Sequence, residues 1–315
     1  MFAKKKKVVI IGAGFVGAST AFVLAMNQVA DEIVLVDKNS AKAYGEALDI
    51  NHGLSFMGQV SVSAGDYSDC ADADVIVICA GANRKANETR MDLLRKNAII
   101  VRDISENISR HYSQGVIIVV TNPVDILTYS VQKWTGLPAE KVIGTGTILD
   151  TLRYRYLLSK RFAVDIKNIH GYVIGEHGET QVPVWSSTHI AGSRIDEMCF
   201  GSCEKMNESD KKAIADEIKS SGMEVIKSKQ ATHFAISVGI NSLVESIIKN
   251  RNTVRTVSSV LCGNYGLSDV ALSLPAIIGC NGINGIVEMK LSKWEKTALF
   301  DSATHIKNCY QESGI

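Results

Sequence analysis

The sequence predicts an α/β protein: a doubly wound parallel sheet followed by a second domain of mixed helices and strands. Two observations carry this. β-branched runs at 8–11, 33–36, 75–79 and 116–120 alternate with helical stretches, and they are apolar without interruption, as strands covered on both faces are. Near 142–146 the rhythm changes, and later strand-like pieces follow long helical patterns. The 315 residues suffice for two domains with real cores, here 1–145 and 146–315, meeting at a cleft.

The first strand follows a lysine run that reads as a solvated lead-in, because the apolar run behind it is too short for a targeting segment. It passes into Gly12-Ala13-Gly14-Phe15-Val16-Gly17, then a helix at 18–27, then a strand ending at Asp37. In that context Gly12 permits the tight turn, Gly14 admits a pyrophosphate against the backbone, and Gly17 lets helix and strand pack closely. A carboxylate at Asp37 accepts from ribose hydroxyls and repels a 2′-phosphate, which favours NAD over NADP. The plainer alternative is a glycine turn that binds nothing.

The strand at 75–79 opens into a polar segment, 80–90, carrying Arg84, Lys85 and Arg90, which suits either a lid over a substrate or a solvated loop. The strand at 116–120 ends before Asn122-Pro123, at the sheet end where ligands of such folds lie. Asn122 either contacts a nicotinamide carboxamide or a substrate hydroxyl, or caps the next helix.

In the second half, a helix at 150–160 carries Asp150 and Arg153, and a glycine-rich strand-loop at 169–178 carries His177. An imidazole passes a proton near neutral pH, a carboxylate fixes its tautomer, and a guanidinium grips a carboxylate with two parallel hydrogen bonds. Taken singly, Asp150 and Arg153 at i, i+3 also suit a helix-surface ion pair. A helical tract at 209–249, strand-like pieces at 257–262, 270–274 and 285–289, and a helix at 292–309 complete the chain.

The formal net charge of +1 gives no reason to expect nucleic acid or a membrane surface as partner, so a small molecule is expected. Seven scattered cysteines without a Cys-x-x-Cys pair suit reduced thiols in a cytoplasmic protein. Cys199 and Cys203 lack a second pair, so no metal site is expected. No run reaches the roughly 18 apolar residues of a spanning helix.

Several ordered motifs are shared with a known family: the glycine fingerprint with Asp37, Cys79-Ala80-Gly81-Ala82, Glu88-Thr89-Arg90, Thr121-Asn122-Pro123-Val124-Asp125, Gly144-Thr145-Gly146-Thr147 with Asp150 and Arg153, and Gly175-Glu176-His177-Gly178. Together they resemble the L-lactate/malate dehydrogenase family over essentially the whole chain, and Asp125-Ile126-Leu127-Thr128-Tyr129 and Val182-Pro183-Val184-Trp185 resemble its bacterial lactate branch. The resemblance implies a Rossmann domain, a mixed α/β substrate domain, bound NAD and a homotetramer or homodimer. It places Gly12, Gly14, Phe15, Val16, Gly17, Asp37, Ala80, Gly81 and Asn122 against the cofactor. It makes His177 the acid that protonates the carbonyl, Asp150 its stabilising partner, Arg153 the carboxylate clamp, Arg90 the lid residue that polarises the carbonyl, and Thr232 a pocket wall.

Arg84 stands where lactate dehydrogenases usually carry Gln and malate dehydrogenases Arg. A guanidinium buried against a methyl group costs about 3 to 5 kcal/mol, more than the roughly 1 to 3 of an apolar contact. The expected activity is therefore that of a malate dehydrogenase. L-lactate dehydrogenase or broader 2-oxo acid reductase activity is the alternative if Arg84 turns to solvent, and a non-catalytic NAD-binding sensor is more remote. Ala86-Asn87 replace the Pro-Gly common in both branches, so different lid kinetics are expected. Arg155 points away from Arg153 around the helix. In the bacterial lactate branch the matching Arg, with a His matching His170, binds fructose 1,6-bisphosphate between subunits. The resemblance thus implies a phosphate-bearing effector, whereas the plainer alternative is an interface ion pair and a strand-edge histidine.

Overall fold

The computed structural model describes residues 5–83, 88–198 and 205–315. Among these, the first half supplies strands β1 (Lys7–Ile11), β2 (Glu32–Val36), β3 (Ser61–Ala64), β4 (Val75–Ile78), β5 (Val116–Val119) and β6 (Val142–Gly144), joined by helices α1 (Phe15–Met26), α2 (Ser40–Gly53), α3 (Arg90–His111) and α4 (Val124–Thr135). The strands pair in parallel in the order β3-β2-β1-β4-β5-β6. This is the Rossmann order, which reverses between β1 and β4 and opens a crevice at their carboxyl ends. The continuous apolar runs are explained by position: β1, β4 and β5 are buried along their whole length.

The second half continues with α5 (Ile148–Phe162), the short strands β7 (Ile169–His170), β8 (Val173–Ile174), β9 (Val182–Pro183), β10 (His189–Ile190) and β11 (Ser193–Arg194), then α6 (Glu208–Lys229), α7 (Phe234–Ile248), β12 (Thr253–Cys262), β13 (Ser268–Gly279), β14 (Gly282–Ile286) and α8 (Lys293–Ser313). β12 pairs antiparallel with β6 through Ser258 and Gly144, so β12, β13 and β14 extend the same sheet to nine strands. The two halves are therefore continuous through one sheet, a link that local patterning does not carry. The helical tract expected at 209–249 is two helices, broken where Gln230 takes φ 71°.

Apolar side chains cover both faces of the sheet. On one face α3, α4 and α8 pack over residues such as Ile76, Ile117, Val119 and Leu272. On the other, α1, α2 and α7 pack over Val8, Ile10, Val77 and Ile118. Each fully buried Ile or Val contributes about 1.5 to 3 kcal/mol. A third cluster joins α5 and α6 to β7, β8 and β10 through Tyr154, Leu158, Ile169 and Ile218. Among the described residues no helix is long and apolar enough to cross a membrane.

Candidate active site

The loops leaving β1 and β4 meet at the switch point. Gly12 has φ +105°, and a Cβ there would lie 2.5 Å from the Ala80 amide nitrogen, so only glycine lets the two loops touch. Gly14 is the N-cap of α1, without a side-chain cap, and a Cβ on it would meet nothing within 4 Å. Phe15, Val16 and Gly17 form the first turn, whose amides lack intrahelical acceptors, and no acidic side chain occupies that turn. An uncapped positive helix end facing open space fits a pyrophosphate. Asp37, just past β2, accepts from the Ala13 amide at 2.8 Å and the Asn39 amide at 2.9 Å, which holds a carboxylate at the rim of the loop. These residues fit NAD.

His177 follows β8 on a loop pinned from several sides. Gly175 bridges Ser273 of β13, the Glu176 amide donates to Ser302 Oγ of α8 at 2.8 Å, and the His177 amide donates to Asp125 Oδ2 at 2.7 Å. The imidazole Nδ1 lies 2.5 Å from Asp150 Oδ2, and the other Asp150 oxygen accepts from Arg153 Nη1 at 3.1 Å. Asp150 sits in the first turn of α5, where the helix dipole favours an anion, and its side chain is only 3% exposed. Burial opposes ionisation of Asp150, but His177 and Arg153 outweigh it and hold the carboxyl below its ordinary range. Burial likewise opposes protonation of His177, and the adjacent Asp150 charge overcomes it, raising the imidazole pKa. With Nδ1 donating to Asp150, Nε2 is left to carry a transferable proton. Gly222 of α6 makes room for the guanidinium, since a Cβ there would lie 3.3 Å from Arg153 Nη2.

The other expected residues are arranged less directly. Thr89 and Asp92 form a capping box that starts α3 and sets Arg90 at its first position. There Arg90 pairs with Glu179 at 2.7 Å, both side chains being exposed, rather than with the His177 dyad. Asn122 does not cap α4, whose N-cap is Pro123; its side chain is exposed at the carboxyl end of β5. Thr232 lies between α6 and α7, half-buried. Arg84 and the Ala86-Asn87 pair lie outside the described residues, as do Cys199 and Cys203. Arg155 faces away from Arg153, donating from Nε to the Gly171 carbonyl at 2.9 Å beside the Tyr172 ring, and His170 is exposed on β7.

Three further residues had no role assigned to them from the sequence. Asn97, buried in α3, accepts from the Ala82 amide at 2.7 Å and donates to the Asn122 carbonyl at 2.7 Å, tying the loop after β4 to the loop after β5. The signal for it was an amide within the apolar stripe of α3. His233 stacks on Phe15 at 5.6 Å and lies 2.9 Å from Ser19, so the turn holding Thr232 packs on the glycine loop. Asp125 stood in two motifs of the resemblance and in the first turn of α4, without a role of its own.

Residues 6–144 match the lactate/malate dehydrogenase NAD binding domain and residues 147–313 match the lactate/malate dehydrogenase alpha/beta C-terminal domain. The chain belongs to the lactate/malate dehydrogenase family. It is an NAD-dependent oxidoreductase of the L-lactate/malate dehydrogenase type. L-lactate dehydrogenase 1 of Clostridium acetobutylicum is 45% identical over 304 residues, covering 96% of this chain and 97% of the relative. L-lactate dehydrogenase of Thermoanaerobacter sp. is 46% identical over 310 residues, covering 98% and 99%. Among solved structures, the ligand-bound minor L-lactate dehydrogenase of Enterococcus mundtii superposes with a TM-score of 0.94 at 39% identity, covering 98% of each chain.

These relatives overturn the expectation of malate dehydrogenase activity. That expectation rested on one side chain, Arg84, losing its water beneath a closed lid. A long cation can keep its head in solvent while its stem packs. The penalty that was to decide the substrate then does not arise, and similarity across the whole family chain carries more weight than one loop position.

Proposed function

We propose that this family member interconverts pyruvate and L-lactate. The chain His177–Asp150–Arg153, linked at 2.5 and 3.1 Å, is the observation that carries the proposal. Residues 1–145 bind the cofactor, with Gly12, Gly14, Phe15, Val16, Gly17, Asp37, Ala80, Gly81 and Asn122 against it, and 146–315 supply the acid and the clamp. When bound, NADH supplies a hydride to the carbonyl carbon. Arg153 grips the pyruvate carboxylate, which fixes the keto group near Nε2 of His177. His177 donates its proton to the carbonyl oxygen, and Asp150 stabilises the imidazolium that precedes the transfer. Arg90 polarises the carbonyl after leaving Glu179, and Thr232 bounds the pocket. The relatives named above are L-lactate dehydrogenases, which supports pyruvate as substrate. The test is NADH oxidation followed with pyruvate: robust turnover is expected, and its absence in enzyme that binds NADH refutes the reading.

The working form is proposed to be a cytoplasmic homo-oligomer, a tetramer, with Arg155 and His170 as a site for a phosphate-bearing effector. Burial disfavours the charged form of Arg155 and lowers its pKa, a cost that a phosphate beside it would offset. Fructose 1,6-bisphosphate is expected to lower the KM for pyruvate and shift sedimentation toward the tetramer, because a ligand held between subunits stabilises their association. In Arg155→Gln with His170→Ala the response should vanish while basal kcat stays within about twofold. A flat response of both KM and sedimentation in the unmutated enzyme removes the effector site.

A further inference from the structure

Asp125 is a buried titratable group in contact with the His177 loop, and the proposed reaction gives it no task. It is the second residue of α4 and 2% exposed. Its Oδ2 accepts from the His177 amide at 2.7 Å. Its Oδ1 and the nearby Ser258 Oγ of β12 are both buried, and neither has a well-formed hydrogen bond among the described residues. The charged groups facing it from the neighbouring loop are His177 and Glu176, and Asp150 is bonded to Nδ1 of the same imidazole.

This environment is poor for a carboxylate as a structural element. Burial pushes the Asp125 carboxyl up to about 6, although Ser258 and the His177 amide favour its ionised form. A carboxyl whose folded pKa is raised contributes stability at low pH that is lost as pH rises through about 6. An amide of the same shape would accept from the His177 N–H equally well and could donate to Ser258 Oγ without any charge to bury. Local stability therefore favours Asn over Asp at this position, and the feature that distinguishes Asp is its charge.

We propose that Asp125 is a second carboxylate serving His177: it positions the loop through the backbone amide and, when ionised, joins Asp150 in holding a proton on the imidazole. The two carboxylates approach His177 from two helix N-termini, α4 and α5, whose dipoles both favour the anion. Asp150 acts on the ring through a hydrogen bond, whereas Asp125 holds the main chain, and the Asp125 charge also raises the proton affinity of the ring. Asp125 is thus a positioning residue whose charge matters. The inference rests on the reading of His177 as the acid.

Asp125→Asn separates the charge from the hydrogen bond. The His177 titration is followed by NMR in protein carrying ¹³C-labelled histidine, its signal assigned by its loss in His177→Gln, and pyruvate reduction is followed against pH in parallel. The expected result is a His177 pKa lowered by about 1 and an alkaline limb of kcat/KM lowered equally. NADH affinity should stay within about twofold, and Tm should rise more at pH 8 than at pH 5. Asp125→Ala, which also removes the acceptor, should lower kcat further than Asn does at the same pH. An unchanged His177 titration in Asp125→Asn, or failure of that variant to bind NADH, overturns the proposal in favour of a structural hydrogen bond alone. A shifted titration with an unshifted pH-rate profile upholds the Asp125 coupling and instead removes His177 as the acid.

Discussion

His177→Ala is expected to lower kcat for pyruvate reduction by about 10² to 10⁴ while leaving NADH affinity within a few-fold of the unmutated enzyme. The loss follows from the arrangement of the ring. Nδ1 is committed to Asp150 at 2.5 Å, so Nε2 is the position from which a proton can leave, and no other imidazole is hydrogen-bonded to Asp150 among the described residues. NADH is expected to remain bound because Gly12, Gly14 and Asp37 lie at the ends of β1 and β2. Stopped-flow turnover and fluorescence titration of NADH test the two halves separately. A kcat near that of the unmutated enzyme would falsify the assignment of His177. Raised by Asp150, the His177 pKa also fixes the direction of the pH effect: pyruvate reduction should persist above the ordinary histidine range and fall at higher pH as the proton is lost.

Much of this arrangement was legible in the sequence, and what escaped has physical causes. β1, β2, β4 and β5 contain the apolar runs 8–11, 33–36, 75–78 and 116–119, all buried, which leave a mark that needs no partner to be seen. β3 carries Ser61 and Ser63 at the sheet edge and leaves no such mark, and β6 is three residues long. The union of β12 with β6 depends on one long-range pairing, Ser258 with Gly144, that no window of sequence contains. In the site, His177, Asp150 and Arg153 were expected from their ordered motifs and the family resemblance, since Asp150 and Arg153 taken singly also suit a helix-surface ion pair, and the structure brings the three side chains together. Asn97 and Asp125 act through backbone amides and carbonyls, so their side chains look like any polar residue in a helix. Arg90 was expected over the substrate and instead pairs with Glu179, since which anion holds an exposed arginine depends on what else is bound.

Arg153→Lys is expected to raise the KM for pyruvate by about 10- to 100-fold and to lower kcat by less than about tenfold. A lysine keeps the positive charge, but one ammonium cannot donate two parallel hydrogen bonds to a carboxylate, and the substrate loses the contact that orients its keto group. Geometry adds a second consequence. Arg153 Nη1 also donates to Asp150 Oδ1 at 3.1 Å, and that carboxylate is nearly inaccessible, so part of its hydrogen bonding disappears with the guanidinium. Asp150 would still be held by His177 through its other oxygen, which is why kcat should suffer less than KM. Steady-state kinetics with pyruvate separate the two parameters. A KM unchanged from the unmutated enzyme would exclude Arg153 as the clamp. A kcat loss as large as that of His177→Ala would instead assign Arg153 chiefly to the support of Asp150, placing its role in the proton-transfer dyad rather than in substrate binding.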